Sequence, residues 1–176
     1  MPRPNPRGDA YAPGVWRAPT TMATSPAQFH LSIPASDLDE TEQWYVNGLG
    51  CRAGRRSDRA LILDLGGHQL VAQVEGNGIP PQRGIYPRHF GLVFAEEADW
   101  LHLVERVRGN GLPFAVDPRC RYEGEELEHL TFFVVDPSGN WLEFKHYRRA
   151  EAILGCHHLT EVGDRELRDA PLPSAP

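Results

Sequence analysis

The chain has 176 residues, enough for one domain of ordinary size or for two small modules sharing a core. Its 40% hydrophobic and 24% charged residues fit a globular protein, and a net charge of -6 with both signs interspersed offers no concentrated basic surface for nucleic acid or an anionic membrane. The longest apolar stretches, such as Leu130 to Val135, fall far short of the roughly 20 residues a membrane helix needs.

Residues 1–26 hold six prolines, no periodic apolar pattern and no apolar run of a secretory signal. A loosely packed arm and a cytoplasmic location are therefore expected, with Met22 as an alternative start. Phe29 to Ile33 alternates, which predicts a strand with His30 and Ser32 on its wet face, ended by Pro34. Ser36 as N-cap and Leu38, Thr41, Trp44, Tyr45 and Leu49 at helical spacing predict a helix that stops at Gly48 and Gly50. Strands are expected near 51–55, at 59–65 and at 69–74, the last two joined by the Gly66-Gly67 turn. The order is βαβββ.

Glu75 to Arg88 is punctuated by glycine and proline and reads as a linker. His89 to Phe94 then alternates as the first strand does, with His89, Gly91 and Val93 on one face. Residues 96–110 predict a helix burying Trp100, Leu101, Leu103, Val104 and Val107, closed by Gly111. A short strand at 113–116, a polar loop at 118–128, a strand at 129–135, an Asp136-Pro137-Ser138-Gly139 turn and a strand at 140–147 repeat the first unit. The fold class expected is α+β: one domain at 27–148 built from modules at about 27–76 and 88–148, with a short helix and a tail at 149–176. Cys51, Cys120 and Cys156 are odd in number and widely spaced, so free thiols are expected rather than disulfides.

The duplication survives alignment. His89 stands 59 positions after His30, and Asp64 to Leu70 lines up without gaps on Asp136 to Leu142 at an offset of 72, the extra positions falling mostly in the polar loop before His129. Glu143 then corresponds to Val71. Either histidine alone reads most simply as a half-buried strand residue. Two at equivalent positions, with a glutamate on a strand otherwise made of Trp141, Leu142 and Phe144, point to one metal ion held by His30, His89 and Glu143. Coordination removes the cost of an unpaired buried carboxylate, and imidazole with carboxylate suits a divalent first-row metal that keeps positions open for substrate or O₂.

The stretches Phe29-His30-Leu31-Ser32, His89-Phe90-Gly91-Leu92-Val93 and Asp136 to Phe144 resemble the vicinal oxygen chelate superfamily. Its members include glyoxalase I, bleomycin-resistance proteins, fosfomycin-modifying transferases and type I extradiol dioxygenases. The resemblance covers about 29–147 and implies paired βαβββ modules forming a cupped, incomplete β-barrel around a metal, with His30, His89 and Glu143 as the ligands. Glyoxalase I has a further ligand near the position of Val71, which cannot coordinate, although Gln69 and Gln73 share that face. The three-ligand pattern looks more like extradiol dioxygenases and fosfomycin-modifying thiol transferases. Arg121 to Glu125, Thr131-Phe132-Phe133 and the turn most resemble small extradiol-dioxygenase-like bacterial proteins.

That resemblance implies ring cleavage of a small catechol-like substrate with Fe(II) and O₂. A lyase, isomerase or thiol transferase using Mn, Zn or Ni is the alternative, and a small-molecule binding protein without activity is another. His129 shares a face with Phe133, and its ordinary pKa of about 6.5 suits a proton shuttle. Tyr122 is a second candidate for catalysis, because Phe133 stands where extradiol dioxygenases usually place a tyrosine. Ser32, Gln69, Gln73, Phe133, Trp141 and Lys145 are expected to line the substrate, Lys145 as a cationic lip for an anion. The superfamily builds its site either within one chain or by exchanging modules between chains. Both modules are present here, which allows a within-chain site, and a homodimer is expected from the resemblance alone.

Overall fold

The computed structural model describes residues 27–76, 80, 82 and 84–163. The expectations for the arm at 1–26 and for the end of the tail lie outside that range. The first module runs β1 (His30–Ala35), α1 (Leu38–Glu42), which continues as a π-helical segment (Gln43–Leu49), β2 (Arg52–Arg56), β3 (Ala60–Leu65) and β4 (His68–Val74). The second runs β5 (Phe90–Phe94), α2 (Glu97–Gly109), β6 (Phe114–Arg121), β7 (His129–Val135) and β8 (Trp141–Tyr147), followed by α3 (Glu151–Leu154). Two four-stranded sheets result, ordered β1-β4-β3-β2 and β5-β8-β7-β6, and they do not close into a barrel. In each, the helix carries the chain across so that the first strand lies parallel to the last. No helix among the described residues is long and apolar enough to cross a membrane.

Strand pairing demonstrates the duplication residue by residue. Ser32 lies opposite Val71 and Gly91 opposite Glu143; Pro34 lies opposite Gln73 and Val93 opposite Lys145. The offsets of 59 on the first strand and 72 on the last hold throughout both parallel pairs. They fail one strand further in. Asp64 faces Gln69 but Val135, not Asp136, faces Trp141, so the second module's turn carries one extra residue. The ungapped match of Asp64 with Asp136 is thereby corrected.

Four local expectations also change. Pro34 does not end β1, because that strand is at the sheet edge, and its carbonyl accepts from the Asn140 amide at 3.0 Å. Asp37, not Ser36, caps α1 by accepting from the amides of Asp39 and Glu40 at 2.8 and 2.9 Å, while Ser36 turns to Ser138. Leu101 is 45% exposed, since the buried stripe of α2 runs through Trp100, Val104 and Val107. The loop expected at 118–128 is mostly strand up to Arg121: β6 accommodates Pro118 by shifting register between Val116 and Arg119.

Both helices pack into one core. Tyr45, Leu49, Trp100, Val104 and Val107 lie against Ile33, Leu61, Leu70, Phe132, Leu142 and Phe144. At the seam, the Tyr45 hydroxyl donates to the buried Asp136 carboxylate at 3.0 Å, and Asp136 also accepts from the Asn140 side chain at 2.7 Å and the Ser138 amide at 2.9 Å. Burial pushes the Asp136 carboxyl above its ordinary pKa, and these donors oppose it. The shared core takes the apolar side of each sheet; the other, open side exposes His30, Ser32, Gln73, Gly91 and Val93 but is covered over β7 and β8, where Thr131, Phe133 and Glu143 are buried.

Tyr45→Phe removes one donor from a buried carboxylate. Urea unfolding should show a loss of about 1–3 kcal/mol with the slope unchanged.

Candidate functional site

Glu143 sits at the middle of β8, 6% exposed, on the open side of the second sheet. Strand alternation puts it there, and β5 packs tightly against β8 at that point. A Cβ on Gly91 would lie 1.7 Å from the Glu143 carbonyl oxygen, so only glycine lets the two strands meet. Thr131 of β7 donates to Oε1 at 2.8 Å, and Oε2 faces both His89 Nε2 at 3.1 Å and Lys145 Nζ at 2.9 Å. Burial alone would raise the carboxyl's pKa; His89, Lys145 and Thr131 outweigh it and hold the group down at about 2.

The His89 imidazole is oriented from behind. Its Nδ1 lies 3.0 Å from the Ile85 carbonyl, which can only accept, so Nδ1 carries a proton and Nε2 is the nitrogen turned to Glu143. The hydrogen bond to Glu143 raises the His89 pKa against the effect of its burial. A proton on Nε2 occupies the place of a Lewis acid between imidazole and carboxylate. An imidazole backed by a carbonyl and a carboxylate are donor types that would suit a divalent metal.

His30 is not with them. It is exposed on the open side of the first sheet, its Nδ1 2.8 Å from Gln69 Oε1, and no three His, Cys, Asp or Glu side chains converge on one point among the described residues. Ser32, Gln69 and Gln73 lie on that same side, around Val71. Gln69 also borders an open cavity of about 380 Å³ that the ion-paired Arg52 and Asp64 help to line.

The remaining residues gather on the second sheet. Phe133 lies directly opposite Glu143 and meets the His89 ring edge-on at 5.6 Å, with Trp141 at 6.5 Å from Phe133. His129 is 5% exposed, between the rings of Tyr147 at 4.7 Å and Tyr122 at 5.8 Å. Its Nδ1 donates to the Leu127 carbonyl at 2.8 Å, and its Nε2 is buried with no hydrogen-bond partner among the described residues. Burial lowers its pKa, and Lys145 and Arg121 add to that, so it is neutral with a bare lone pair. The Tyr122 hydroxyl is committed to the Gly163 carbonyl at 2.6 Å. Thr131, Gly91, Tyr147 and Arg121, whose guanidinium lies 6.0 Å from the Phe133 ring, were not singled out from sequence. Strand alternation placed Thr131 and Gly91 on this face, but neither residue type announces a site by itself.

The unfolded chain binds a proton at His129 at a higher pH than the folded chain does, so acidification favours unfolding there. The contribution of His129 to stability should fall as pH drops below about 6.5, while that of His89, whose pKa is raised, runs in the opposite sense. His129→Gln should therefore make the urea midpoint fall less, or rise, over that range. A profile unchanged by the substitution would show that the imidazole is not held neutral.

The model of the Glyoxalase/Bleomycin resistance protein/Dioxygenase superfamily matches residues 27–144. A solved structure described as a glyoxalase/bleomycin resistance protein/dioxygenase from Alicyclobacillus acidocaldarius is 41% identical, covering 72% of this chain and 96% of that one with a TM-score of 0.69. Two others share the fold at lower identity. TioX from Micromonospora sp. ML1 is 19% identical, covering 69% of this chain and 99% of that one with a TM-score of 0.54. A lactoylglutathione lyase from Agrobacterium tumefaciens is 18% identical, covering 68% and 92% with a TM-score of 0.52. No curated protein is significantly similar. With two-thirds of its length matched and a 41% identical relative spanned almost whole, the chain belongs to the glyoxalase/bleomycin resistance protein/dioxygenase superfamily.

Proposed function

We propose that the chain is a metal-dependent enzyme that binds a small substrate on the open side of the second sheet and uses His129 to take or return a proton. One observation carries this: a buried, ionised Glu143 facing His89, one strand away from a buried neutral imidazole whose Nε2 has no partner among the described residues. His89 Nε2 and Glu143 Oε2 would hold the ion. His30 of a second copy of this chain would complete the set, because His30 faces outward from the same repeat position, with Gln69 steadying its ring. When bound, a divalent ion supplies Lewis acidity to two adjacent substrate oxygens.

The surrounding residues suit lyase, isomerase or thiol-transferase chemistry. Phe133 and Trp141 wall the site without offering a proton, and Tyr122 is occupied by Gly163, which leaves the proton work to His129. Mn, Ni or Zn serves this use. A second reading, an Fe(II) extradiol dioxygenase taking a catechol and O₂, is favoured by the donor types, two imidazoles and one carboxylate. Anaerobic reconstitution with each metal and panels of hemithioacetals, epoxides with thiols, and catechols separates the two. Turnover without O₂, reduced at least about 100-fold by His129→Gln, supports the main reading. O₂ consumption with ring fission confined to Fe(II) supports the second, and binding without turnover under every condition contradicts both.

Sharing of the site between copies has its own test. His30→Ala and Glu143→Gln should each lose metal, and co-expression of the two should restore binding at one site of each mixed dimer. If every ligand came from one chain, no mixture would recover any.

A further inference from the structure

The carboxylate of Glu143 divides its work unequally. Oε1 is taken by the Thr131 hydroxyl, while Oε2, the oxygen turned toward His89, is also the one that Lys145 Nζ contacts at 2.9 Å. A divalent ion between His89 Nε2 and Glu143 Oε2 would have that ammonium against it, and like charges repel strongly where water is scarce. The duplication sharpens the point. In the first sheet the positions of Glu143 and Lys145 are held by Val71 and Gln73, so the acid and the ammonium occur together in one module and neither occurs in the other.

We propose that Lys145 is a resident counter-cation of the site: it neutralises Glu143 while no metal is bound, is displaced when metal binds, and then anchors an anionic group of the substrate beside the ion. The inference rests on the metal reading above. Lys145 is suited to the exchange because its ammonium ends a flexible four-carbon stem with rotatable donors and its side chain is 22% exposed, whereas Glu143 is 6% exposed and fixed by Thr131. The substrate class that follows is a small molecule whose two chelating oxygens lie next to a negative charge, such as a 2-hydroxy or 2-oxo carboxylate.

The test uses the full chain and Mn²⁺, its free concentration followed by electron paramagnetic resonance. Lys145→Met should lower the urea midpoint of the metal-free protein, because a buried carboxylate loses a partner. It should also bind Mn²⁺ at least about tenfold more tightly than wild type, the equivalent of roughly 1.4 kcal/mol. Opposite signs in the two measurements are the signature, since a purely structural lysine would weaken both. Lys145→Gln, which keeps a hydrogen-bond donor without the charge, gives the same affinity readout if the methionine variant fails to fold. Mn²⁺ bound equally or more weakly by the folded variant overturns the inference while leaving the metal reading intact. No Mn²⁺ bound by wild type or variant overturns both. In the loaded proteins, glycolate should bind more tightly to wild type than to Lys145→Met, whereas neutral ethylene glycol should not distinguish them; equal glycolate affinities overturn the anchoring role.

Discussion

An ionised carboxylate on the inside of a sheet is the constraint around which the second module is built. Left alone, Glu143 would be protonated or would destabilise the fold by several kcal/mol. Three partners answer it: the Thr131 hydroxyl on β7, the imidazole of His89 immediately before β5, and the Lys145 ammonium on β8 itself. Gly91 is part of the same solution, since any side chain there would collide with the backbone of Glu143 and move His89 away. The seam between modules then holds the end of β7 and the start of β8 through Tyr45, Asp136 and Asn140, which gives the site a fixed floor.

The two modules have kept one side in common and diverged on the other. Toward the core, Leu31, Ile33 and Leu70 correspond to Phe90, Leu92 and Leu142, apolar for apolar. On the open side, Ser32, Val71 and Gln73 correspond to Gly91, Glu143 and Lys145, and the chemistry differs at each, while Ile62 and Phe133 are both apolar. Packing tolerates only apolar replacement, so the core side preserves the repeat; the open side is free to specialise. The charged pair belongs to the second module, and the first contributes a histidine, two glutamines and a serine. A site that used both faces would need them brought together by something other than the shared core, as the proposed sharing between two copies of the chain would do.

Much of this was legible in the residues. Period-two alternation located β1, β5, β7 and β8 and put His89, Glu143, Lys145, Phe133 and His129 on common faces, because side chains on a strand must alternate. The duplication gave Glu143 its counterpart in Val71. What was missed has physical reasons. Pro34 lies inside a strand because that strand is at the edge, a property of the sheet rather than of the segment. The extension of β6 past Pro118 depends on bulges, and the extra residue in the second turn is visible only in the register. The separation of His30 from His89 and Glu143 follows from how two modules share a core, which strand patterns do not encode. Nor could spacing reveal that Lys145 contacts the same carboxylate oxygen as His89, since residues two apart on a strand are only known to share a face.

The central claim is that His89 and Glu143 hold a divalent metal, and elemental analysis of untagged protein purified anaerobically without chelators tests it most directly. Wild type should carry one equivalent of a single first-row metal per chain. That metal should be absent from Glu143→Gln and His89→Ala variants whose circular dichroism matches wild type. Wild type that holds only background metal, before and after anaerobic reconstitution with Mn, Fe, Ni and Zn, would contradict it.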